Sequence, residues 1–224
     1  DNHRAMECRD CREAALAAIT DAPERGGCLA AVCGWPVQSG KASAGGLVQV
    51  MKLRTAKKRI VIYIVNHILK GTCFFPAKRR LLCSIGYEIG ENTRIVGPIH
   101  NTGTLRIGAN CWIGCSLTVH GNGTVTISDN CDIAPDVTFL TGGHQIGGPE
   151  RRAGTGEKYA ITVGRGVWIG ARAAVLGNTC IGDGSVVAAC ACVVKDVPAN
   201  TLAAGVPAKV IKEFKDLVSD AQEE

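Results

Sequence analysis

A β-branched aliphatic stands at Val163, Ile169, Val175, Ile181, Val187 and Val193, every sixth position without a miss. A strict short period fixes the architecture before any single residue is weighed. Six residues per repeat means one flat face per repeat and three faces per coil of a prism, with each aliphatic pointing inward. The same register runs through Ile107, Ile113 and Val119, and again through Ile127, Ile133 and Phe139. Ile89 and Ile95 open the series, and Cys83 is the expected position before them. Between Val119 and Ile127 the spacing widens, so a bulge is expected at Gly121-Asn122-Gly123-Thr124. After Ile95 the count is poor, because Asn101 falls where an aliphatic belongs.

Gly follows the aliphatic at Ile89, Ile107, Ile113, Val163, Ile169 and Ile181. A helix needs apolar spacing near 3.6 and would not tolerate so many glycines. Residues from about 83 to 200 therefore read as an all-β solenoid of parallel strands. Aromatics make up only 4% of the 224 residues, which suits thin coils filled by small aliphatics. The net charge of +5 is spread along the chain and gives no argument for nucleic acid.

The flanks are different. Residues 1–46 hold Gly, Ala, Ser and Pro without a period and are expected to be poorly ordered, apart from a short Ala-rich helix over 11–19. Cys8 and Cys11 form a C-x-x-C, followed by Cys28 and Cys33. Four thiols are a zinc ligand set in principle, but the second pair is widely spaced, and plain reduced thiols are the simpler expectation. Residues 47–82 read as a helical cap. Within it, the basic and apolar run 57–69 is too short to span a bilayer. It either packs on the first coil or lies on a membrane surface, helped by Lys57, Lys58 and Arg59. The need to cover an open parallel edge favours packing. The solenoid domain is placed at 83–212, with a short C-terminal helix or tail over 213–224.

Twelve cysteines would suggest disulfides in a small secreted chain. Here Cys111, Cys131, Cys180 and Cys192 fall inside the repeats, where free Cys serves as a small hydrophobe. No secretory signal pattern is visible, so a reduced cytoplasmic compartment is expected, with a membrane-peripheral contact through 57–69 as the alternative to packing.

The period breaks once more between Phe139 and Val163, where a loop is thrown out with His144 at its base. Loops on rigid scaffolds are where function tends to sit, and an imidazole can take and return a proton near neutrality. The residues around this break are Ile133-Ala134-Pro135-Asp136-Val137-Thr138, His144, Ile161-Thr162-Val163-Gly164 and Gly166-Val167-Trp168-Ile169-Gly170. The chain closes with Ala204-Gly205-Val206-Pro207-Ala208-Lys209-Val210-Ile211-Lys212. Taken in order, they resemble the sugar O-acetyltransferases of the hexapeptide-repeat acyltransferase family, over about Cys83 to Lys212.

The resemblance implies a left-handed parallel β-helix and transfer of acetyl from acetyl-CoA to a sugar or glycan hydroxyl, without a covalent intermediate or a metal. His144 matches the general base. The backbone N–H of Ala171 matches the oxyanion donor, and Trp168 an aromatic beside the acyl donor; its alternative role is packing at a subunit contact. On the acceptor side, Ser116 stands where the family has an Asn, and Glu150 falls close to an acidic residue that orients the His or touches the sugar. Ala189 matches a small residue along the pantetheine arm of CoA, and Lys209 and Lys212 match basic positions near its phosphates. The family is trimeric, so a homotrimer with shared sites is implied. Serine O-acetyltransferase is the nearest competing activity, though it carries a larger helical N-terminal domain. A zinc carbonic anhydrase on the same prism would need three His ligands, for which His100, His120 and His144 are the candidates. By the repeat count His120 and His144 fall on one face of adjacent coils. A non-enzymatic solenoid is the remaining alternative, against which the scattered Thr118, Thr124, Thr126 and Thr138 speak.

Overall fold

The structure is a computed structural model and describes residues 56–214. The Ala-rich segment 11–19, the thiols of Cys8, Cys11, Cys28 and Cys33, the start of the cap and the tail from 215 lie outside the described residues.

Each aliphatic of the period faces inward, and neighbours in the period come to lie on different faces of a left-handed parallel β-helix. Three columns result. On the first face Ile89, Ile107, Ile127, Val163 and Ile181 stack in register, extended by a bridge to Val197. On the second, Ile95, Ile113, Ile133, Ile169, Val187 and Ala203 stack. On the third, Asn101, Val119, Phe139, Val175 and Val193 stack. All of these except Asn101 are buried, each large aliphatic contributing about 1.5–3 kcal/mol of transfer free energy. Asn101 keeps the register, but its side-chain oxygen turns to accept the Gly103 N–H at 2.9 Å.

The strands that matter below are numbered in chain order from β1 (Glu88–Ile89) to β19 (Lys209–Glu213). The first face carries β1, β4 (Thr104–Ile107), β7 (Thr124–Ile127), β12 (Ala160–Val163) and β15 (Thr179–Ile181), the second β2 (Arg94–Ile95), β5 (Trp112–Ile113), β8 (Asp132–Ile133), β13 (Trp168–Ile169), β16 (Val186–Val187), β18 (Thr201–Ala204) and β19, and the third β3 (Ile99–Asn101), β6 (Leu117–His120), β9 (Thr138–Leu140), β14 (Ala174–Leu176) and β17 (Cys192–Val193). Between faces the chain turns through residues with positive φ, among them Asn110, Asn130, Asp136, Arg172 and Cys190. Asn and Asp tolerate this left-handed conformation better than other side chains, which explains their recurrence at the corners.

The N-terminal end is closed by two helical segments, residues 56–68 (α1), whose last turn Ile64–Ile68 is π-helical, and Phe75–Cys83 (α2). One cap side chain serves the first strand of each face. Arg79 Nε donates to the carbonyls of Ile89 and Gly90 on the first face. Lys78, fully buried, donates from Nζ to Ile95 and Val96 on the second, as well as to Gly71. Asn66 both donates to the Ile99 carbonyl and accepts from its N–H, as a neighbouring strand would. Open backbone groups at a sheet edge invite further pairing, and these three residues engage that edge on every face. At the other end β19 runs antiparallel along β18.

Two sequence expectations need correction. Cys83 is exposed on α2, because the coil begins only at Glu88. Glu213, expected to start a short helix or tail, is the last residue of β19.

Candidate active site

The three irregularities in the period gather at one corner of the prism, between the third and first faces. Thr102 Oγ1 donates to the Gly121 carbonyl at 3.0 Å, and the Gly123 N–H donates to Thr141 Oγ1 at 3.2 Å. The poor stretch near residue 101, the 121–124 bulge and the 141–159 break therefore lie one above another. The last of them is an antiparallel hairpin, β10 (Gly142–Ile146) with β11 (Ala153–Lys158). Its base is held by Tyr159, whose N–H donates to Thr141 and whose carbonyl accepts from Thr124. The Tyr159 hydroxyl donates to Glu157 Oε2 at 2.8 Å. That bond, with a second from Gln145, holds the Glu157 carboxyl below its usual range and raises the tyrosine. The ring lies against Gly177 and Gly143, where a Cβ would collide with it.

His144 sits exposed on β10, opposite Gly156. Its Nδ1 is 2.9 Å from the Gly154 carbonyl. A carbonyl can only accept, so Nδ1 carries the proton and the neutral ring keeps its lone pair on Nε2. Glu150 is exposed at the hairpin tip, beyond both strands; the orienting acceptor seen in the protomer is the Gly154 carbonyl. His120 does not share a face with His144. It ends β6 (Leu117–His120) in register with Leu140, whereas His144 lies on the hairpin outside the coil, because the chain leaves the register after Leu140. Among the described residues no three His, Cys, Asp or Glu side chains are grouped to hold a metal ion.

The other candidate residues gather on the second face and its corner with the third. Trp168 on β13 (Trp168–Ile169) is 56% exposed. Across the face it is in line with Val186, Leu202 and Lys212, so Lys212 lies roughly 14 Å from it at the usual strand spacing. Lys209 pairs with Ala204, and Lys212 Nζ lies 5.7 Å from the Phe214 ring centroid.

At the corner, Ser116, Asp136, Arg172 and Cys190 all have φ near +60°. The chain there is linked from coil to coil by Asp136 N–H to Cys115 O, Arg172 N–H to Pro135 O and Cys190 N–H to Ala171 O. Asp136 and Arg172 form an exposed pair with N···O of 3.8 Å, worth little in stability. Ser116 thus lies on the same corner as Ala171 and Ala189.

Ala171 differs from two of the corresponding turn residues, Ala109 and Arg165, and among the described residues shares its open N–H with Glu91, Cys115 and Asp183, where the next coil likewise offers no aspartate. The corner N–H groups of Ala109 and Arg165 each donate to an aspartate of the next coil, Asp129 and Asp183, at 2.7 Å. Gly170, Gly164 and Gly108 stand against Ala189, Asp183 and Asp129 respectively, so Ala189 occupies the place of the capping aspartate. It has no acceptor to offer. Among the described residues the Ala171 N–H therefore has no hydrogen-bond partner, at a half-buried position. A fixed, uncapped backbone donor can stabilise an oxyanion.

Sequence reasoning singled out His144 and Ala171. It missed Tyr159, Glu157 and the Gly154 carbonyl, since a hairpin outside the period has no register from which pairing can be counted. The thiols of Cys111 and Cys131 touch inside the coil, Cys131 pulling Cys111 down and being pushed up itself; both are buried and away from this surface.

No family model matches the chain. The galactoside O-acetyltransferase of Escherichia coli K12 is 39% identical over 130 residues, 57% of this chain and 64% of that protein. The chain thus covers less than two thirds of that relative's length. A solved galactoside acetyltransferase in complex with coenzyme A superposes with a TM-score of 0.63 at 30% identity, over 79% of this chain and 86% of that one. A hexapeptide-repeat acetyltransferase from Vibrio cholerae, complexed with acetyl coenzyme A, gives 0.64 at 27% identity, over 79% and 95%.

Proposed function

Since the chain belongs to the hexapeptide-repeat acetyltransferase family, we propose that it transfers an acetyl group from acetyl-CoA to a hydroxyl of a sugar or glycan. The observation that carries this reading is the His144 ring. Its Nδ1–H is committed to the Gly154 carbonyl, which leaves Nε2 as a base on a hairpin braced by Tyr159. Nε2 takes the proton of the acceptor hydroxyl as its oxygen attacks the thioester carbonyl carbon. Negative charge gathers on the carbonyl oxygen, and the Ala171 N–H receives it. The tetrahedral centre collapses, the C–S bond breaks, and the proton on Nε2 passes to the departing thiolate. Acetyl ester and free CoA result. No cysteine takes part.

The two groups stand on different corners. The hairpin springs from the corner between the third and first faces, Ala171 from that between the second and third, with β14 (Ala174–Leu176) between them. A face of this length spans roughly 15–20 Å. A site in which His144 of one copy meets the Ala171 corner of another removes that gap, and this supports a homotrimer with sites between protomers. In this reading the pantetheine arm passes Ala189 and Trp168, and the phosphates meet Lys209 and Lys212. Ser116 and Glu150 serve the acceptor, which relatives named for galactosides suggest is a sugar. In this reading the acyltransferase domain is the coil from Glu88 to Glu213, behind its helical cap. Cysteines that serve as small hydrophobes inside the coil fit a reduced, cytoplasmic setting.

The test is His144→Ala with CoA release followed by a thiol reagent and CoA binding followed by calorimetry. Loss of turnover with unchanged CoA affinity is expected. Turnover near that of the unaltered protein would overturn the role of His144.

A further inference from the structure

The face of α1 turned away from the coil carries Ile60, Tyr63, His67 and Ile68, with Ile60, Tyr63 and Ile68 each 60–64% exposed. The inward face is already apolar, with Val61 at 5% and Val65 at 0% exposure. A helix needs one apolar stripe to dock on its own domain, and one that is apolar on both sides has a second surface to bury. Phe74, in the turn before α2, adds a 61% exposed ring. The Tyr63 and His67 rings lie 4.7 Å apart, tilted by 34°, and add amphipathic area to the stripe.

The charge around this stripe has one sign. Lys57, Lys58 and Arg59 fill the turn before Ile60, and Lys70 follows Ile68. Arg80 is exposed on α2. From Arg25 to Tyr87 the sequence contains no Asp and no Glu, so no acidic residue of the cap's own sequence offsets them. No helix among the described residues is long and apolar enough to cross a membrane. An apolar stripe with a tyrosine at its centre and cations around it fits the headgroup boundary of an anionic bilayer, where apolar side chains enter and Lys and Arg meet the phosphates. A soluble acidic protein would satisfy the cations, but it offers less to four large exposed apolar side chains.

We propose that the capped end of the solenoid docks on an anionic lipid surface through Ile60, Tyr63, Ile68 and Phe74, steered by Lys58, Arg59 and Lys70. The coil then stands off the bilayer, with the hairpin and the open corner on its sides. This goes beyond the acetyl-transfer reading and does not depend on it, because it concerns the end of the prism and not its corners.

The test is flotation of the full chain with phosphatidylcholine vesicles, with and without phosphatidylglycerol. Binding is expected only to the anionic vesicles, falling as salt is raised. Lys58→Ala and Arg59→Ala should each lower partitioning roughly fivefold. The pair Ile60→Ser and Ile68→Ser should lower it by at least about tenfold, with thiol-release activity on soluble acceptors unchanged. Four results would each overturn the proposal: no flotation of the unaltered chain, equal flotation with neutral vesicles, variants that float as well as the parent, or a serine pair that changes the oligomer mass in light scattering. The last would make the stripe a contact between copies.

Discussion

Replacing Ala189 with aspartate tests why the Ala171 N–H is open. On the corner between the first and second faces two coils carry an aspartate in this place, and its Oδ1 accepts the preceding coil's N–H at 2.7 Å, from Ala109 in one case and Arg165 in the other. The backbone links match as well. Asn130 donates to Ala109 O, Gly184 to Arg165 O and Cys190 to Ala171 O, at 2.8–2.9 Å. Ala189→Asp should therefore place a carboxylate on the Ala171 N–H without disturbing the coil, since the prism already accommodates the same turn twice. A donor so occupied cannot receive the oxyanion. Removing a single donor of this kind costs about 100–1,000-fold in kcat, or about 2.7–4 kcal/mol. The assay is steady-state thiol release, paired with Ala189→Leu, which adds bulk without an acceptor. The aspartate variant should lose kcat by about that factor at unchanged melting temperature, and amide exchange at Ala171 should slow as its N–H becomes bonded. The leucine variant should alter KM for acetyl-CoA more than kcat. If Ala171 exchange slows in the aspartate variant while kcat stays within about threefold, the N–H is not the oxyanion donor.

Two further outcomes follow from the cap and the hairpin. Lys78→Met removes the donor shared by the Gly71, Ile95 and Val96 carbonyls. With desolvation of the ammonium offsetting part of the loss, it should cost about 2–4 kcal/mol in urea unfolding; a change below about 0.5 kcal/mol would deny the lysine its sealing role. The Glu157 carboxyl is held below its usual range chiefly by the Tyr159 hydroxyl. A depressed carboxylate stabilises the folded hairpin above its unfolded pKa, near 4.3, and that contribution fades as pH falls through the lower folded value. Amide protection at the hairpin base should therefore drop on acidification below about pH 4.3, and Tyr159→Phe should weaken that pH dependence, leaving only the share from Gln145. A parent protein whose hairpin protection is flat over that range would refute the link.

Much of the fold was legible because its period is strict. A side chain at every sixth position can face inward only if the chain turns at fixed intervals, so Val163 to Val193 fix coil size, face and register together. Cys83 misled because a lone apolar residue at the right interval has the same sequence signature whether it ends a helix or starts a strand. The cap's sealing contacts were illegible for a related reason: Asn66, Lys78 and Arg79 read as polar interruptions in a helix, and only the position of the first coil shows that each meets a strand edge. At the candidate site, His144 was marked by the break in the period, while Ala171 was reached through family resemblance. The cause of its open N–H lies eighteen residues away at Ala189, one coil further on, and emerges from comparing that corner with those at Asp129 and Asp183. Tyr159 and the Gly154 carbonyl had no periodic signal at all.

A structure of the protein with CoA bound would show whether two copies share the site. The CoA sulfur should lie in a cleft between two protomers, within hydrogen-bond reach of His144 Nε2 from one copy, with the open Ala171 N–H of the other facing the same space. CoA held along a single protomer with its sulfur remote from every His144 ring would contradict a shared site.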